Sequence, residues 1–153
     1  MSRLLDNALA LSLIILAGFL STSGYFIFWG VKPNLVLSLI IAFIFLRASS
    51  FEIAFLVVFA AASLAWTPLL SPSLFILPLL AAAILSARRF FSSSLFSASV
   101  ISFAATFLWY LASNPHFALN FYTIVVLEGI INSVLSLALI LLGRALKVFV
   151  DYA

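Results

Sequence analysis

The charged residues of this chain fall at or beside the ends of long apolar runs, with one exception, Glu128. A sequence written this way has little polar surface with which to coat a water-soluble core. Of its 153 residues 67% are hydrophobic and 7% charged, and the mean hydropathy is +1.37, so lipid is the solvent the composition calls for. Bilayer hydrocarbon is roughly 30 Å thick and takes about 20 apolar residues per helical crossing, fewer where flanking side chains snorkel.

Six runs meet that description, at 8–29, 34–47, 51–66, 73–88, 95–112 and 121–143. They predict an all-α integral membrane protein, a bundle of about six transmembrane helices forming one polytopic domain over residues 1–153. The second and third runs are short and need their flanks to complete a crossing, or else pair as a shallow hairpin. Pro78 predicts a kink in the fourth, and Trp109 and Tyr110 close the fifth like an interfacial belt. The first run reads as a retained span, since no small-x-small cleavage site precedes the next one.

Lysine and arginine set the orientation. With six crossings and a cytoplasmic N-terminus, Arg3, Arg47, Arg88, Arg89, Arg144 and Lys147 all lie inside and only Lys32 outside. Both termini are therefore expected in the cytoplasm, in the cytoplasmic membrane. The outer loops, at 30–34, 67–72 and 113–120, are short and proline-marked, with Pro33, Pro68, Pro72 and Pro115. Basic residues scattered singly or in pairs make no nucleic-acid face; membrane lipid is the partner they imply.

Much chemistry is closed to such a chain. There is no cysteine, and the one histidine, His116, has no second metal ligand near it in sequence. The serine clusters at 92–94 and 71–73 carry no nucleophile-elbow frame and read as loop and helix-cap residues. No cofactor is expected.

Glu128 needs explaining, because a charged side chain two turns into a span costs on the order of 2.5 kcal/mol or more. Asn132 follows four residues later on the same helical face, and Gly129 and Ser133 form a small-x-x-x-small pair on an adjoining stripe. One side of the last helix is thus written for contact with its neighbours. A proton relay or ligand carboxylate is the competing reading, but no other acid lies inside a run. Glu52, Asp6 and Asp151 sit at run ends, where Arg47, Arg3 and Lys147 are available for local pairing.

Two stretches resemble the rod shape-determining membrane protein family of the MreD type. Lys32-Pro33-Asn34-Leu35-Val36-Leu37, opening an apolar run that closes on Arg47, is similar to the start of that family's second span. Leu127-Glu128-Gly129-Ile130-Ile131-Asn132, leading through a leucine-rich run to Arg144 and Lys147, resembles its final helix. The middle departs from the family pattern: Ala60-Ala61-Ala62-Ser63 and Leu70-Ser71-Pro72-Ser73 stand where members often carry glycines, an acid and a Pro-Leu-Gly turn.

The resemblance implies a non-enzymatic scaffold of the bacterial cell-elongation machinery. Such a protein binds the single-span protein MreC and helps couple the MreB filament to peptidoglycan synthases. It would use Glu128 and Asn132 for packing of the last helix and Pro33 and Asn34 at the outer mouth. The runner-up is the substrate-binding subunit of an energy-coupling-factor-type vitamin transporter, for which Asn114, His116, Asn120, Tyr122 and Glu128 would line a cavity. An intramembrane enzyme using Glu128 as acid or base is a third reading, and lacks the cluster of polar groups such chemistry needs.

Overall fold

The computed structural model describes residues 3–23, 27, 30–47, 49–64, 72–90 and 94–147. They form α1 (Arg3–Thr22), α2 (Leu35–Leu46), α3 (Ser50–Leu64), α4 (Ser73–Arg88), α5 (Leu95–Ser113), α6 (Pro115–Asn120) and α7 (Tyr122–Ala145). Three of these, α1, α5 and α7, are long and apolar enough to cross a membrane. At 1.5 Å per residue, the 24 residues of α7 reach about 36 Å and the 12 of α2 only about 18 Å.

Helix ends follow local chemistry. Pro33 precedes α2, and the Asn34 side chain accepts a hydrogen bond from the Leu37 N–H at 3.0 Å, satisfying one of the orphan donors of a first turn. Ser94 does the same for Ser97 at the start of α5, and Asn114 for Phe117 at the start of α6, with Pro115 at its first position. The first helix stops earlier than its apolar run. At its end the hydroxyls of Thr22 and Ser23 donate back to the carbonyls of Phe19 and Leu20, the local competition by which Ser and Thr unsettle a helix. Ile27 is non-helical, and residues 24–26, 28 and 29 lie outside the described residues. The span expected over 113–120 as a loop contains the six-residue helix α6.

The shortest helix but for α6, α2 sits at the centre. Every residue from Val36 to Leu46 is buried, against α1, α3, α4, α5 and α7. A helix apolar all round is one that is enclosed all round, and an enclosed helix need not match the thickness of its solvent. The other helices stand around it in the order α1, α3, α4, α5, α7, each touching the next, while α1 and α7 do not touch. The ring is open along that side. Between α1 and α3 the approach is close: a Cβ on Gly18 would lie 2.8 Å from Ser63 Oγ.

Two clusters fix how the helices run. Asn7 near the start of α1, Arg47 just past α2, Glu52 at the start of α3 and Arg88 at the end of α4 are joined at one end. Ser21, Asn34, Leu64, Tyr110 and Glu128, from the opposite ends of α1, α2, α3, α5 and α7, line one cavity at the other. Successive long helices are therefore antiparallel.

At the first of these ends Arg47 is 3% exposed. Its guanidinium donates to Asn7 Oδ1 at 2.7 Å and Glu52 Oε2 at 2.8 Å, and lies 5.8 Å from the centre of the Phe43 ring. Arg88 donates to the carbonyls of Ile44 and, at 2.7 Å, Arg47. A cation set on the free carbonyls of a helix C-terminus answers both their lone pairs and the helix dipole. Both ends of α2 are thus closed by protein groups, as backbone at membrane depth requires.

Candidate functional site

The polar residues that the apolar runs carry converge on the line where α2, α5 and α7 meet. Ser38, Ser102, Thr106, Glu128, Asn132, Ser133 and Ser136 are all buried. On α7, Glu128, Asn132 and Ser136 recur every four residues and so share a face. That face looks at α2 and α5.

From the Arg47 side upward, Ser136 Oγ lies 3.1 Å from Ser102 Oγ and donates to the Ser38 carbonyl at 3.2 Å. Thr106 Oγ1 donates to the Ser102 carbonyl at 3.0 Å and accepts from Asn132 Nδ2 at 3.0 Å. Ser38 Oγ reaches the Asn132 carbonyl at 3.4 Å. The ladder ties three helices together through side chains that each spend their hydrogen on a neighbour's oxygen. In an apolar surround, buried polar groups persist only when satisfied in this way. One atom is left over: Asn132 Oδ1 has no hydrogen-bond partner among the described residues.

Glu128 heads the ladder, 2% exposed. The Tyr110 hydroxyl donates to its Oε2 at 2.5 Å, and Asn34 at the start of α2 lines the same cavity. No cation forms an ion pair with Glu128 among the described residues. Tyr110 is itself held by ring stacking: its centroid is 5.4 Å from that of Phe117, which lies 5.1 Å from that of Phe121. The short α6 is what places this aromatic stack.

Above Glu128 opens a cavity of about 200 Å³. Lys32, Pro33 and Asn34 form one wall, Trp109 and Tyr110 another, and Ser21 and Leu64 close it from α1 and α3. Ser21 Oγ is buried without a hydrogen-bond partner among the described residues.

The residues singled out in sequence are distributed as follows. Glu128, Pro33 and Asn34, ninety and more positions apart, come together in this cavity. Asn132 stands one turn below Glu128. Gly129 and Ser133 face α5: a Cβ on Gly129 would be 2.9 Å from the Phe103 ring, and Ser133 Oγ donates to the Gly129 carbonyl at 2.8 Å and the Ser99 carbonyl at 3.1 Å. Glu52 pairs with Arg47, while Asp151 lies outside the described residues. Arg47 and Arg88 are engaged inside the bundle, whereas Arg89 and Lys147 are exposed.

Sequence reading missed Tyr110, Thr106, Ser102 and Ser38 as members of the site. Tyr110 was legible only as a belt residue, and single serines and threonines in apolar runs give no signal until their helices are paired. Asn114, His116, Asn120 and Tyr122 are exposed and are not part of the cavity lining.

No family model, curated protein or solved structure matches the chain. Its chemistry therefore rests on the site itself. Among the described residues no three His, Cys, Asp or Glu side chains gather in a way that would hold a metal ion, and Glu128 is the one acid in the cavity lining. The arrangement binds helices to one another and presents one carboxyl acceptor, one lysine and two aromatic rings to a small opening.

Proposed function

We propose that the chain is a multi-pass protein of the bacterial cytoplasmic membrane, crossing six times with both ends in the cytoplasm. In this reading it is a non-enzymatic scaffold of the cell-elongation machinery, of the MreD type, regulating cell shape by binding a single-span partner such as MreC. The observation that carries this reading is the meeting of Lys32-Pro33-Asn34 with Glu128, one helical turn from Asn132, around one cavity. The two stretches on which the family resemblance rests are separate in sequence and form one contiguous centre in space.

The six-crossing topology is supported by the antiparallel order of the helices together with the charge distribution. Arg47 and Arg88 lie at one end of the bundle and Lys32 at the other, as the positive-inside rule requires. The transporter reading has less behind it. A cavity of about 200 Å³ is below the ~300–1,000 Å³ usual for a small-molecule site, and of the residues nominated for a vitamin Glu128 alone is among those lining it.

Deleting the gene in its own organism tests the assignment. Loss of rod shape, with MreC-like or wall-synthesis proteins accompanying the tagged protein from gently solubilised membranes, is the expected result. Normal shape after deletion, or copurification with an ATPase pair and a coupling subunit, refutes it.

A further inference from the structure

The cavity carries one acid and one base. Glu128 is buried at its floor and Lys32 is exposed at its rim, and the two form no ion pair. A carboxylate has about four acceptor positions; the Tyr110 hydroxyl occupies one, and Ser21 Oγ, which also lines the cavity, has no partner among the described residues. The room, about 200 Å³, is that of about seven water molecules, which is the size of a small zwitterion.

An apolar groove of about 210 Å³ lies along the open side of the ring, lined by residues of α1, α2 and α7. Leu20 and Leu35 line the groove, and the next residues inward, Ser21 and Asn34, line the cavity. On α7 the groove residues Leu135 and Leu139 continue the helical stripe that begins with Glu128 and Asn132. A polar site thus has as its chain neighbours the residues of an apolar slot lined by α1, α2 and α7.

We propose that this is a binding site for an amine-bearing zwitterionic phospholipid of the phosphatidylethanolamine class. The ammonium donates to Glu128 and to Ser21 Oγ, beside the ring faces of Trp109 and Tyr110 that favour a cation; the phosphate lies toward Lys32; one acyl chain fills the groove between α1 and α7. A primary ammonium is required, because a trimethylated headgroup has no N–H to give. An anionic headgroup without an amine satisfies Lys32 and leaves the acid unpaired.

The proposal needs the bundle to lie in a bilayer, as the proposed function does, but not that it serve cell elongation. It is tested with the purified full-length chain, delipidated in detergent and titrated with phosphatidylethanolamine, phosphatidylcholine or phosphatidylglycerol of identical acyl chains, with bound lipid counted by native mass spectrometry. Phosphatidylethanolamine is expected to bind more than about tenfold more tightly than the other two. Glu128→Gln is expected to abolish that preference, and Lys32→Ala to weaken all three phospholipids alike.

Where Glu128→Gln lowers the yield of folded protein, Ser21→Val supplies a second variant with the same expected loss of preference. Equal retention of the three lipids, or a preference unchanged in both variants, overturns the site. Displacement of the lipid by soluble phosphoethanolamine at matched concentration also overturns it, since the ligand would then be a soluble amine. None of these results touches the scaffold assignment, which is read from cell shape and partners.

Discussion

Glu128 and its donors test the energetics residue by residue. Hydrogen bonds between membrane helices average about 0.6 kcal/mol and reach about 1.7, so Tyr110→Phe should cost about 1 kcal/mol in SDS-driven unfolding from mixed micelles. Asn132→Ala should cost more, about 1.5 kcal/mol, because Asn132 is fully buried, bonds Thr106 across the seam of α5 and α7, and leaves a void when truncated. Equal effects of the two substitutions would mean the ladder below Glu128 carries no load of its own. The two helix-facing glycines separate in the same assay. Gly18→Ala drives a methyl onto Ser63, whose Oγ, Cβ and backbone carbonyl oxygen all lie within 3.3 Å of it, and should cost about 1–3 kcal/mol as overpacking does. Gly129→Ala meets only the partly exposed ring of Phe103, which can turn aside, so its cost should be the smaller. Glu128 was conspicuous in sequence because it is a lone acid in an apolar run. Its partners were not, since nothing about Thr106 or Ser102 distinguishes a hydroxyl that bonds its own helix from one that bonds the next.

At the scale of elements, α2 shows both what an apolar pattern reveals and what it conceals. Its twelve residues were recognisable as a helix from Pro33-Asn34 at one end and Arg47 at the other. Its shortness looked like an incomplete crossing. In the folded chain the helix is enclosed, and its last carbonyls are answered by Arg88 from α4, a contact over forty positions that no local pattern encodes. Arg88→Ala should therefore destabilise the bundle by about 2 kcal/mol, the range for a hydrogen bond from a charged group. Arg89→Ala, at the exposed neighbour, should stay within about 0.5 kcal/mol. Read as topology markers the two arginines are alike, so a comparison of their unfolding midpoints separates anchoring in the protein from anchoring at a surface. Glu52→Gln should also weaken this end, by about 3 kcal/mol, because it removes the carboxylate paired with the buried Arg47 guanidinium.

For the whole molecule, the absence of cysteine from the sequence makes topology directly measurable. Under the six-crossing proposal, a single cysteine at His116 should react with a membrane-impermeant thiol reagent on intact cells, whereas cysteines at Arg89 and Lys147 should react only after permeabilisation. Labelling of all three from outside would refute the proposal. The placement of α2 has a further consequence for how such a chain is made. Its second helix leaves the ribosome well before α7, one of its walls. Until α7 arrives, the Ser38 hydroxyl lacks the Asn132 carbonyl that it meets in the folded chain. The arrival of α7 is therefore the step that closes this centre, and a chain shortened before Tyr122 has an exposed polar seam by which a membrane protease can recognise it as unfinished.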